Sequence, residues 1–138
     1  MNVIIVGAGK IGSLIAHKLS DQGHRITIIE KNPTAAVQLP RGRINSGAIT
    51  VINQDGATGS AMEKAGISDT DVFIASTGKD SLNGLAAQRA LTVFGVDKVL
   101  AVVNDEDARS LYDSLGITTI NKATIASNQI VQTIIAEQ

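Results

Sequence analysis

The chain has 138 residues, 43% of them hydrophobic but only 2% aromatic, and a formal net charge of −1. A length of this order predicts one domain with an aliphatic core of Ile, Val, Leu and Ala, and a near-neutral charge without a basic block argues against nucleic acid as a partner. The absence of cysteine excludes disulfides, thiolate metal sites and a cysteine nucleophile, and no apolar run approaches the ~20 residues that span a bilayer.

In chain order, Val3 to Val6 is a short apolar run that reads as a strand over about residues 2–6. The turn Gly7-Ala8-Gly9-Lys10-Ile11-Gly12 follows at once and interrupts the apolar stretch too early for a signal peptide. A helix is predicted at about 10–22, then a second strand at about 25–29 that ends on Glu30. Further strands are predicted at about 48–52, 71–75, 97–103 and 118–120, with helices at about 33–39, 57–65, 79–95, 105–115 and 122–136. The stretch from Leu39 to Ala48, with Pro40, Gly42 and Gly47, reads as a loop. Val72-Phe73-Ile74-Ala75 and Val99 to Val103 are apolar at consecutive positions, as strands covered on both faces require, so the sheet is parallel. Gly23, Gly66, Gly95 and Gly116 each stand where a helix ends before the next strand. The expected architecture is α/β: a doubly wound, six-stranded parallel sheet of the Rossmann type, forming a single domain over residues 1–138.

The first turn carries the chemistry. In the G-x-G-x-x-G pattern, Gly7 allows the tight turn, Gly9 lets the backbone approach a diphosphate, and Gly12 lets the helix lie close to the sheet. The unpaired N–H groups of the helix then face the phosphates, with the helix dipole behind them. Glu30, 18 residues beyond the last glycine, is placed to accept from both ribose hydroxyls and to repel a 2′-phosphate, which disfavours NADP. A tight turn without a ligand is the competing reading of the glycines alone. The strand before, the helix after and the acid beyond together weigh against it.

Other strand tips are expected to line the same crevice. Asp55-Gly56-Ala57-Thr58 follows the third strand, where Asp55 either meets an adenine edge or makes an Asx turn that caps the next helix; the two are compatible. Thr77 and Gly78 follow the fourth, with Asn83 one turn into the next helix and able to point back at the site. Asp80 suits helix capping as well as a ligand role. The cation of Lys10 could pair with phosphate or point to water. Asn104-Asp105-Glu106-Asp107 is read as a helix cap with acids at the positive end rather than a metal cluster. His17 is assigned to a solvated face with Lys10, Ser13 and Asp21, opposite Ile11, Leu14, Ile15 and Leu19. Neither His17 nor His24 has a second ligand at metal spacing, and no metal is expected.

Four places at family-like spacing extend this reading: Ile4 to Gly12; Ile29-Glu30-Lys31-Asn32; Gln54 to Thr58 with Ala65-Gly66-Ile67; and Val103-Asn104-Asp105 with Leu111 to Gly116. On these the whole chain resembles the N-terminal domain of TrkA-type regulators, also called KTN or RCK domains. The resemblance implies a cytosolic regulatory subunit of a potassium uptake system or channel. Such a subunit binds NAD(H) or ATP/ADP, pairs as a dimer or ring of dimers, and gates a membrane partner without itself entering the membrane. It places Gly7, Ala8, Gly9, Lys10, Ile11 and Gly12 around the phosphates, Glu30 and Lys31 at the ribose, Asp55, Gly56 and Ala57 at the adenine, and Thr77, Gly78 and Asn83 on the far side. Many members carry a basic residue just before the Val-Asn pair; here Val102 stands there, with Lys79 as a candidate substitute. Many also continue into a smaller C-terminal ligand domain, so this chain, ending at Gln138, is expected to be either a piece of such a protein or a short regulator.

The stripe Ile130, Val131, Ile134 and Ile135 on the last helix either covers the chain's own sheet or docks on a sister subunit. No catalytic residue is required for a sensor. The alternative is an NAD-dependent oxidoreductase or its isolated nucleotide-binding domain. That would need a substrate domain and an acid–base residue facing the nicotinamide, and no His lies at a strand tip facing the crevice. A structural module that has lost its ligand is opposed by the intact Gly7, Gly9, Gly12 and Glu30.

Overall fold

Alternate residues of the first strand bury against opposite layers, and this organises the molecule. In the computed structural model, which describes residues 1–137, β1 (Asn2–Val6) sends Val3 and Ile5 to one face and Ile4 and Val6 to the other, all 2% exposed or less. The strands β2 (Arg25–Ile29), β3 (Ile49–Ile52), β4 (Val72–Ala75), β5 (Lys98–Val102) and β6 (Thr118–Ile120) complete one sheet. Its order is β3-β2-β1-β4-β5-β6 and every pairing is parallel. The chain winds outward from β1 in one direction, then returns beside β1 through β4 and winds outward in the other. The reversal leaves a crevice at the C-terminal ends of β1 and β4.

The face bearing Val3 and Ile5 is covered by α1 (Lys10–Asp21), a 3₁₀ turn at Pro33–Gln38 and the short α2 (Arg41–Asn45). The opposite face is covered by α3 (Gly59–Lys64), α4 (Asp80–Thr92) and α5 (Glu106–Ser114), around Phe73, Met62 and the alanines of α4. A last helix, α6 (Lys122–Ala136), has no buried residue. The stripe on α6 therefore does not cover the chain's own sheet: Ile130, Val131, Ile134 and Ile135 are between 51% and 62% exposed.

The differences from the sequence reading are local. The stretch expected as a loop from Leu39 to Ala48 holds the single helical turn of α2, which starts directly after Pro40, where the proline's missing N–H costs nothing. The element expected at 33–39 is 3₁₀ rather than α, started by Asn32, whose side chain accepts from the Thr34 N–H at 3.0 Å. Helix α3 begins at Gly59 because Thr58 is extended and caps it, its hydroxyl accepting from Ala61 at 3.2 Å. The inward stripe of α1 also differs. Ser13 is buried and its hydroxyl donates to the Ala8 carbonyl at 2.8 Å, while Leu14 is 58% exposed. Gly12, Ala16 and Ser20 make up the rest of the buried face, so small residues, not the larger aliphatics, let α1 sit close to the sheet. His17 is exposed and lies 3.6 Å from Asp21, in keeping with a solvated position. All four glycines expected to end helices adopt positive φ.

Candidate functional site

The crevice at the switch point is a cleft of about 800 Å³. Gly7 and Gly9 floor it, Glu30, Lys31, Asn32 and Ala35 form the wall after β2, Asp55 stands after β3, and Ser76 to Lys79 with Leu82 and Leu85 close the other side. Two of the three glycines of the turn are required by the fold itself, and the third leaves open space. Gly7 has φ +104°, and a Cβ there would lie 2.9 Å from the Ser76 carbonyl oxygen. A methyl at Gly12 would overlap the Gly7 carbonyl oxygen, so α1 rests directly on the turn. A Cβ on Gly9, in contrast, meets nothing within 4 Å. Space of that kind beside a helix start is what a diphosphate needs. Gly9 is also the N-cap of α1 and supplies no side-chain cap, leaving the first amides of a 12-residue helix to an incoming anion.

Glu30 spans the cleft. One carboxylate oxygen accepts from the Ala8 N–H at 2.7 Å and the other from the Asn32 N–H at 2.9 Å. The acid therefore fastens the glycine turn to the end of β2. Each oxygen keeps a further acceptor position, which is what a ribose diol requires. Asp55 accepts from the Ala57 N–H at 3.0 Å in an Asx turn, and still lines the cleft.

The structure brings Gly7, Gly9, Glu30, Lys31, Asp55, Thr77 and Gly78 together on the cleft surface. It places the other candidates elsewhere. The Ala8 amide is already committed to Glu30. Lys10, the first residue of α1, lines a separate recess with Ser13, Leu14, His17, Gln38 and Pro40. Ile11 and Gly12 belong to the body of α1, and Gly56 is pressed against Val6. Ala57 is 3% exposed, and its carbonyl accepts from Arg89 of α4.

Asn83 is 1% exposed and fully engaged. Its Oδ1 accepts from the Thr77 N–H at 2.8 Å and the Thr77 hydroxyl at 2.6 Å, and its Nδ2 donates to the carbonyls of Thr77 at 3.0 Å and Val102 at 2.8 Å. It holds the β4 loop rather than facing the cleft. Val102 is likewise buried, whereas Lys79 lines the cleft beside Gly78, on the wall opposite Lys31.

Sequence reasoning missed Asn32, Ala35, Ser81, Leu82 and Leu85 as lining residues. A helical reading of 79–95 puts Ser81, Leu82 and Leu85 within the first turns of α4, and that signal pointed to the cleft mouth. Among the described residues no three His, Asp or Glu side chains gather at metal-binding distance.

Residues 3–122 match the family model described as the TrkA-N domain. The Trk system potassium uptake protein TrkA of Streptomyces coelicolor is 31% identical over 132 residues, an alignment covering 96% of this chain and 57% of that protein. The chain thus spans little more than half the length of that relative. Among solved structures, the TrkA-N domain of the inner membrane protein ybaL from Escherichia coli superposes with a TM-score of 0.83 at 15% identity, covering 96% of this chain and 95% of that one. The Kef CTD of Shewanella denitrificans in AMP-bound form gives 0.80 at 20% identity, with 98% and 82% coverage. The GsuK channel bound to NAD gives 0.68 at 15% identity, covering 86% of this chain and 21% of that one. At these identities the structural likenesses establish the fold.

Proposed function

This chain belongs to the TrkA-N domain family, and on that premise we propose that it is the nucleotide-sensing part of a potassium uptake system or channel, binding NAD(H) or ATP/ADP at the switch-point cleft. The observation that carries the reading is the pairing of an unfilled space over Gly9, at an uncapped helix start, with the Glu30 carboxylate across the cleft. The first fits linked phosphates and the second fits a ribose. The relative from Streptomyces carries a potassium-uptake name, and NAD and AMP are bound by two of the structural neighbours. Lys31, Lys79 and Asp55 all line the cleft; on this reading the two cations meet phosphate charge and Asp55 serves the adenine.

No catalysis is assigned to the chain. Its action is a change between two assembly states, of which the ligand binds one better; couplings of that kind are typically ~1–3 kcal/mol. The partner is the membrane subunit of the transporter or channel, met from the cytoplasmic side. Among the described residues no helix is long and apolar enough to cross a membrane.

Pairing of two copies is assigned to α6. It presents Ile130, Val131, Ile134 and Ile135 to solvent, and the β4–β5–β6 end of the sheet carries Ile74, Leu100 and Ile120 only half-buried. A helix from a second copy laid on that shelf would cover both apolar surfaces reciprocally, as a twofold interface requires.

Calorimetric titration of dialysed protein with NAD, NADH, ATP, ADP and NADP tests the reading. Saturable binding of at least one of the first four, weaker binding of NADP, and no reduction of nicotinamide by alcohols or hydroxy acids are expected. Nicotinamide turnover would make it an oxidoreductase. Silence with every nucleotide would make the cleft structural.

A further inference from the structure

Thr77 offers two donors to the cleft region, and both are taken by one buried oxygen, Asn83 Oδ1. An anionic oxygen that docks at Thr77 competes for those donors. Asn83 is 1% exposed, so water does not replace what it loses, and an unsatisfied buried acceptor is costly. Its amide must turn, and the 2.8 Å bond from its Nδ2 to the Val102 carbonyl turns with it. Val102 is the last residue of β5.

The segment after β5 is held from two sides. Towards the cleft, Asp80, the first residue of α4, accepts from the N–H groups of Asn104 at 2.8 Å and Asp105 at 2.9 Å. Away from it, the Asn104 carbonyl accepts from Asn121 Nδ2 at 3.1 Å, and the Asn104 side-chain oxygen accepts from the Lys122 N–H at 3.0 Å. Asn121 is the N-cap of α6, accepting from the Thr124 N–H at 3.1 Å, and Lys122 is the first residue of that helix. A hydrogen-bonded path therefore runs from the cleft wall to the root of a helix that buries none of its own residues.

We propose that the Asp80–Asn104 joint is a positioning device that converts occupancy of the cleft at Thr77 into a change in the direction of α6. This rests on the nucleotide-sensing reading above and adds the route by which the site is coupled to the assembly surface. The geometry amplifies: α6 has 15 residues, about 22 Å at 1.5 Å per residue, so a turn of ~10° at its root moves its far end by ~4 Å. Asp80 and Asn104 do not line the cleft, so they can be altered without touching the ligand.

The chain has no cysteine, so Lys18→Cys on α1 and Gln132→Cys on α6 give a clean spin-label pair. Labelled protein diluted into excess unlabelled protein reports distances within one copy. Saturating NADH, and separately ADP, is expected to shift the distance by several ångström. Asn104→Ala and Asp80→Ala should bind nucleotide within about threefold of the parent but lose the shift, as expected when a coupling is cut rather than a contact. Asp80→Asn keeps an acceptor oxygen and should restore the shift, which a merely structural role does not require. A shift that survives both alanine variants overturns the relay. Binding to the parent without any shift overturns the relay while leaving the nucleotide reading intact, and no binding at all overturns both.

Discussion

Replacing Glu30 with alanine separates two jobs that the carboxylate performs at once. In the unliganded protein it accepts from the amide of Ala8, a residue with no exposed surface, at 2.7 Å. Without the acid that donor is buried and unpaired, a loss of about 1–3 kcal/mol. Removing a negative charge beside the start of α1 adds ~0.3–1 kcal/mol. The Asn32 amide is exposed, so water replaces its bond and little is lost there. A net destabilisation of about 1.3–4 kcal/mol follows, which at roughly 3 °C per kcal/mol for a chain of this size lowers Tm by about 4–12 °C. Calorimetry on the ligand-free protein measures it. Nucleotide affinity should fall by more than about tenfold, the equivalent of ~1.4 kcal/mol, through loss of the ribose acceptor. Glu30→Gln distinguishes the two effects. Its single oxygen can serve Ala8 and recover most of the stability, while its amide group turns a donor towards the sugar and leaves affinity low. An unchanged Tm in Glu30→Ala would refute the assigned role at Ala8, and unchanged NAD affinity would show that the ribose is held elsewhere.

Gly9→Ala should leave Tm unchanged, because the added methyl enters open space, yet weaken NADH binding at least about tenfold by titration if the diphosphate lies there. Gly12→Ala should do the reverse of a silent change, costing about 1–3 kcal/mol in chemical denaturation, because its methyl meets the Gly7 carbonyl and α1 must move away. Where α6 pairs two copies as proposed, Ile130→Asp combined with Ile134→Asp should shift the molar mass by light scattering from dimer to monomer while each copy stays folded by circular dichroism, since both side chains are exposed within one copy.

The parallel sheet was legible because its strands are short unbroken apolar runs, a pattern that only burial on both faces demands. The glycine turn was legible because Gly7 and Gly12 each answer a separate steric need that a side chain cannot meet, while Gly9 keeps open space beside the start of α1. Helix limits were less so: whether α3 starts at Ala57 or Gly59 is decided by Thr58 turning its hydroxyl to Ala61, a choice that composition does not reveal. At the site, sequence position placed Glu30, Asp55 and Thr77 on the cleft, since a residue at a strand tip has little freedom to be elsewhere. Residues one turn into a helix were less determined. Asn83 looks inward to Thr77 and Val102, and Lys10 leaves the cleft along α1, because side-chain direction there depends on helix rotation against the sheet. That rotation is set by Gly12, Ser13, Ala16 and Ser20, whose smallness is a quieter signal than a large aliphatic stripe.

On the proposed reading, the hydrogen bond between Glu30 and Ala8 also constrains how cofactor preference can change. The obvious single step towards a 2′-phosphorylated dinucleotide is to discard the acid, but discarding it orphans an amide in the first turn. A descendant that relinquishes the Glu30 charge has to keep an acceptor for Ala8, as the glutamine variant would, or acquire another one first. Mutational order, and not merely the final set of residues, governs which paths to new specificity stay open.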